Sequence, residues 1–188
     1  MTPPRTVAVL VGSLRKDSYN QKLALALAHL APPELTFEHL RIDDLPAYNQ
    51  DDDGNQAASV KRLKTEIAAA QGLLFVTPEY NRSIPGVLKN AIDCASRPYG
   101  DSAWTGKPVA VMGASVGTLG TARAQYHLRQ TFVFLNMYPV NQPEVMVSNA
   151  QKRFDQEGKL TDDTTKQLVR QLLSELVNWT KRLSNDAR

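Results

Sequence analysis

The chain has 188 residues, 42% of them apolar, and 22 basic against 19 acidic side chains give a net charge of +3. That length suits one α/β domain, 1–188, with a full core, and no apolar run approaches the ~20 residues of a membrane span. The scattered Lys and Arg argue against nucleic acid as a partner, and the single cysteine, Cys94, excludes an internal disulfide and suits a reducing, cytoplasmic location.

Thr6 to Val11 is apolar and rich in β-branched residues, as expected of a strand buried on both faces. Its immediate start leaves no room for a signal peptide after Met1. Gly12-Ser13-Leu14-Arg15-Lys16-Asp17-Ser18-Tyr19-Asn20 then forms a turn into an Ala/Leu-rich helix over Gln21 to Leu30. A strand that stops at a glycine and turns into a helix places free N–H groups at the strand's carboxyl edge, where an anion is favoured. Ser13, Ser18 and Asn20 add neutral hydrogen bonds, and Arg15 adds a charge-assisted fork. No glycine precedes Lys16, so this is not a Walker loop, and one glycine is too few for the dinucleotide fingerprint. What remains suits a terminal phosphate monoester, as on a mononucleotide.

Pro32-Pro33 ends the helix, and Leu35 to Ile42 alternates as a second strand. Asp43 to Gly54 is polar and turn-rich, hence a surface loop, followed by a helix over Gln56 to Ala70. Gly72 to Thr77 is a third, fully apolar strand stopped by Pro78. The segment Pro78-Glu79-Tyr80-Asn81-Arg82-Ser83-Ile84-Pro85-Gly86 is stiffened by two prolines, so its backbone donors and acceptors are pre-set for a flat heterocycle, with Tyr80 able to pack on the ring. Pro85 sits at the first turn of a helix reaching about Ser96. Pro108 to Gly113 is a fourth strand, Ala114 to Gly120 its loop, Thr121 to Leu135 a helix, Glu144 to Val147 a short fifth strand, and Thr161 to Leu183 a closing amphipathic helix. Strands alternating with helices give a flavodoxin-like three-layer sandwich around a five-stranded parallel sheet of order 2-1-3-4-5, with ligands beyond the carboxyl ends of the strands. His29, His39 and His127 lie far apart and pair with no cysteine, so no metal site is expected.

Gly12-Ser13-Leu14-Arg15 with Ser18 and Asn20, Pro78-Glu79-Tyr80-Asn81 through Pro85-Gly86, Leu88-Lys89-Asn90-Ala91-Ile92-Asp93, and Ser115-Val116-Gly117 together resemble the NADPH-dependent FMN reductase family of flavodoxin-like proteins. That group includes bacterial chromate, quinone and azo-dye reductases. The resemblance spans roughly residues 5 to 150. It implies that Ser13, Arg15, Ser18, Tyr19 and Asn20 hold the FMN phosphate, and that Pro78, Glu79, Tyr80 and Asn81 line the isoalloxazine with Ser115 and Gly117 close by. NADPH or NADH would donate the hydride, and quinones, free flavin, azo dyes or oxidised metal such as chromate would accept electrons. Many relatives carry an aromatic residue where this chain has Cys94, which reads as an inert, partly buried thiol.

The flavin carries such chemistry, which fits a sequence with no credible catalytic triad. A non-enzymatic FMN carrier or a redox-regulatory flavoprotein is the alternative; a basic chain offering Arg15 favours the enzyme. A flavin at the carboxyl edge of the sheet leaves one ring face wet in a lone domain, so a homodimer or homotetramer is expected, a neighbouring subunit covering that face. Arg97, Arg123, Tyr126 and Glu144 are candidates for joining subunits or, equally, for solvated surface groups.

Overall fold

The computed structural model describes residues 3–185; the remaining residues of the expected 1–188 domain lie outside the described ones. Four parallel strands form the body of the sheet, β2 at its edge: β1 (Arg5–Val11), β2 (Leu35–His39), β3 (Gly72–Val76) and β4 (Pro108–Ala114). They run in the order β2-β1-β3-β4, with register such as Val9 beside Leu74 and Phe75 beside Val111. Every residue of β3 and β4 is buried, which is why both read as unbroken apolar runs rather than alternating ones.

The side-chain period of two divides these strands between two cores. Val7, Val9, Leu74, Val76, Ala110 and Met112 face α1 (Tyr19–Leu25), α2 (Leu27–Leu30) and α6 (Asp163–Asn185). Ala8, Leu10, Leu73, Phe75, Val109 and Val111 face α3 (Ala58–Ala69), α4 (Gly86–Ala95) and α5 (Ala122–Phe134). In the second core Phe75 meets Phe132 and the fully buried Trp104 at centroid distances of 5.4 and 5.8 Å. The indole N–H of Trp104 donates to the Ile92 carbonyl at 2.9 Å, so its polar edge is satisfied.

The expected fifth position exists but is shared. β5 (Tyr138–Pro139) pairs with the start of β4, and β6 (Val145–Val147) with its end. Asn141, Gln142 and Pro143 interrupt the edge between them, a turn-rich stretch that cannot continue a ladder. The first helix is likewise two pieces, because a tight turn at Ala26, where the His29 N–H donates to the Ala26 carbonyl, separates α1 from α2. β2 ends at His39 rather than Ile42, since Val9 is its last partner on β1 and Leu40 and Ile42 turn into the second core. The acidic loop contains a 3₁₀ helix, Gln50–Asn55, capped by Asn49.

Candidate functional site

The loops after β1, β3 and β4 meet at the carboxyl edge of the sheet, as a parallel topology requires. Gly12 makes the first contact possible: a Cβ there would press on Leu88, Pro85 and Thr77 at 3.1–3.3 Å. Its N–H donates to Val76, so the first and third strands end in register. Between the loops lies a pocket of about 170 Å³ lined by Ser13, Arg15, Ser18, Tyr19, Asn20, Pro78, Glu79, Tyr80, Ala114, Ser115 and Val116.

Nine of the residues singled out from sequence therefore share one pocket. Asn81 and Gly117 stand beside it rather than in its lining. Asn81 occupies a tight turn, and the Gly117 N–H donates to the Ser115 hydroxyl oxygen at 3.1 Å. Ala114 and Val116 complete the wall; they fell inside a recognised loop but carry no chemistry that would single them out.

The side chains divide by role. Ser18 is buried and caps α1, its hydroxyl oxygen accepting from the N–H groups of Asn20 and Gln21. Those two N–H groups are thus satisfied within the chain, although the Ser18 O–H can still donate. Asn20, also buried, has a different task from the one expected of its side chain. Its Nδ2 donates to the Ala114 carbonyl at 2.9 Å and its Oδ1 accepts from the Ala114 N–H at 2.8 Å. This two-point clamp fastens the first loop to the fourth strand across 94 positions of sequence.

Glu79 is similarly committed. Its carboxylate accepts from the N–H groups of Arg123 and Ala124 at 3.0 and 3.2 Å, capping α5, and it also binds the Arg123 guanidinium. Burial pulls the Glu79 carboxyl upward, but the Arg123 hydrogen bond and the Ala124 and Arg123 N–H groups outweigh it and hold the group below its ordinary value. With Glu79 neutralised, no free carboxylate lines the pocket.

What stays available is a donor set. Among the described residues Arg15 has no salt bridge; its guanidinium lies 5.8 Å from the centre of the Tyr19 ring. Ser13 is nearly buried and its hydroxyl is 3.5 Å from the Tyr80 phenol. Hydroxyls of Ser13, Ser18 and Tyr19 with one guanidinium are the chemistry that a phosphate monoester demands. The pocket is smaller than the ~300–1,000 Å³ of a closed ligand site, so it can enclose the phosphate end of a mononucleotide and leaves a ring at the rim. That rim carries Tyr80 and Val116, 46% and 61% exposed.

The sequence profile of a family described as NADPH-dependent FMN reductase matches residues 5–152. The chain belongs to that family. It is 47% identical over 175 residues to a 2-hydroxy-1,4-benzoquinone reductase of Burkholderia sp, covering 93% of this chain and 96% of that protein. An NAD(P)H-dependent FMN reductase of Pseudomonas aeruginosa is 50% identical over 173 residues, covering 92% and 93%. The solved structure of the flavoenzyme NAD(P)H:(acceptor) oxidoreductase FerB from Paracoccus denitrificans superposes with a TM-score of 0.88 at 43% identity, covering 95% of this chain and 98% of that one. This family member is accordingly an FMN-dependent NAD(P)H oxidoreductase, an enzyme rather than a carrier, with the flavodoxin-like fold.

The four residues weighed for subunit contacts all have partners within the chain. Arg123 binds Glu79, the Tyr126 phenol donates to Glu144 at 3.2 Å, and the Arg97 guanidinium lies 3.8 Å from the Tyr99 ring centre. Cys94 is buried, its thiol 3.7 Å from the Pro46 carbonyl, and burial followed by Asp93 pushes its pKa up, which suits an unreactive group. Among the described residues no helix is long and apolar enough to cross a membrane.

Proposed function

We propose that the three loops hold FMN, with its phosphate on Ser13, Arg15, Ser18 and Tyr19 and its ring at the rim beside Pro78, Glu79, Tyr80, Asn81, Ser115 and Gly117, and that quinones are the acceptors. The observation that carries this reading is an unpaired guanidinium converging with three hydroxyls in a pocket whose one carboxylate is already neutralised. Bound FMN supplies the redox chemistry, taking a hydride from NADPH or NADH and passing electrons on. The protein's residues bind and orient it. Asn20 acts through Ala114 by fixing the spacing of two loops, and Glu79 by fixing the third loop to α5. The apolar rim favours a flat, weakly polar acceptor over a hydrated ion, and the relatives named for quinones support that choice.

The working form in this reading is a homo-oligomer in the cytoplasm. Tyr80 and Val116 at the pocket are 46% and 61% exposed, and at the far end of α5 Val133 and Phe134 are 78% and 73% exposed; exposed apolar side chains of this kind suit contact with a second copy. A second copy over the rim would exclude water from the ring.

The test is steady-state kinetics of the FMN-saturated protein with NADPH, NADH and a benzoquinone series. One shallow pocket cannot hold donor and acceptor together, so double-reciprocal plots should be parallel. Intersecting lines would refute the shared pocket, and a protein that retains no FMN would refute the site.

A further inference from the structure

A groove of about 450 Å³ runs beside α1 and α2 and shares only neighbouring, not common, residues with the pocket above. Its apolar floor is Leu25, Ala26 and Leu30 from the two short helices, joined by Leu160. Leu160 comes from a small hairpin, closed by the bridge between Phe154 and Leu160 and a turn in which the Gly158 N–H donates to Asp155. Leu25 is left 58% exposed on this floor.

The walls are basic. Lys22 and His29 stand on α1 and α2, Lys159, Lys166 and Arg170 on the hairpin and α6, with Glu157 as the acidic residue of the lining and the Asp155 carboxylate accepting from the Lys159 N–H at 2.7 Å. Lys166 is paired with Asp163 at 2.8 Å. Among the described residues Lys22, His29, Lys159 and Arg170 have no carboxylate partner. Lys22 is also held in place: its ammonium lies 5.5 Å from the Tyr19 ring centre, and its stem packs on Gly158. Gly158 has φ +83, a backbone conformation that favours glycine, and it lies against the flexible stem of Lys22.

Lys22, Lys159 and Arg170, whose side chains have no carboxylate partner among the described residues, repel one another beside the exposed Leu25 and leave that side chain wet. An inorganic anion would answer the charge and leave the floor bare; a neutral apolar molecule would do the reverse. The volume falls within the range of small-molecule sites. We propose that this groove binds a small, soluble anionic amphiphile, a compact apolar body bearing a carboxylate, sulfonate or phosphate monoester. The apolar body lies on Leu25, Leu30 and Leu160, and the head group is taken by Lys159 and Arg170 with Lys22 opposite.

Isothermal titration calorimetry of the full chain saturated with FMN, which keeps the flavin pocket filled, tests this with octanoate as the probe. Octanoate should bind, with acetate (head alone) weaker by about tenfold or more through loss of the apolar contact and 1-octanol (body alone) weaker by about tenfold or more through loss of a charge-assisted contact. The charge reversals Lys159→Glu and Arg170→Glu fall on exposed positions outside the core and should each weaken octanoate by about tenfold. No octanoate binding, equal binding of 1-octanol, or unchanged affinity in both variants would overturn the proposal. So would attachment to vesicles of an anionic lipid by a protein that ignores soluble octanoate. Because FMN retention and turnover are measured separately, failure here leaves the flavin site untouched.

Discussion

Arg15, in the loop after β1, and Asn20, in the first turn of α1, lie five positions apart and do opposite kinds of work. Arg15 is exposed and free to meet a ligand, so Arg15→Ala should weaken FMN by about 1.5–3 kcal/mol, the range for hydrogen bonds to charged groups, with little change in stability. A fluorescence titration of FMN against the apoprotein checks it. Asn20 is buried and closes both polar groups of Ala114, so Asn20→Ala orphans a buried N–H and a buried carbonyl. Each costs about 1–3 kcal/mol, and urea unfolding should show the loss even without flavin. Glu79 adds a pH dependence. Its folded pKa lies below the ordinary 4.5, so its contribution to stability is fully present above that value and is lost as pH falls through the folded pKa. The gap in melting temperature between wild type and Glu79→Gln should therefore be constant near neutrality and close in acid. The sequence revealed which residue types gather at the pocket, because hydroxyls, Arg and a Pro-stiffened Tyr carry their chemistry in their identity. It could not reveal that Asn20 and Glu79 reach across 94 and 44 positions to backbone groups, since any backbone N–H can receive an Asn or a carboxylate.

At the scale of elements, two tight places set the geometry of the third and fourth loops. Asn81 and Arg82 have φ of 50 and 63, and Tyr80 and Ser83 exchange both backbone hydrogen bonds around them, which makes a turn of the mirror-image type. Asn suits such a position and Arg does not. Arg82→Gly should stabilise the protein by about 1 kcal/mol, read from the urea midpoint, as strain for a side chain in that region is relieved. Gly113 is the second place: a Cβ there would overlap the Thr77 carbonyl oxygen and the Thr121 hydroxyl. Gly113→Ala drives a methyl into the Thr77 carbonyl and the buried Thr121 hydroxyl, and overpacking of this kind costs about 1–3 kcal/mol or more; loss of soluble folded protein or a sharply lowered melting temperature is expected. The long apolar strands and α6 were plain in the sequence because burial on both faces, or a stripe at helical spacing, repeats over enough residues to be seen. β5 was not, since Tyr138–Pro139 owes its pairing to Lys107 and Val109 on a neighbouring segment rather than to any pattern of its own.

For the whole molecule, the exposed end of α5 makes the proposed assembly testable. Replacing Val133 and Phe134 together by Lys should shift light scattering toward the mass of one chain and leave the fold intact, because both side chains lie outside either core. An unchanged oligomer would move the interface elsewhere. The divided outer edge narrows where that can be. β5 and β6 offer two and three residues of ladder with a proline-bearing break between them, and the opposite edge, β2, is only five residues long. Short, broken margins are poor templates for a foreign strand. This chain is therefore guarded against growing sideways into open-ended β stacks, and the assembly proposed for it has to form through helices and loops.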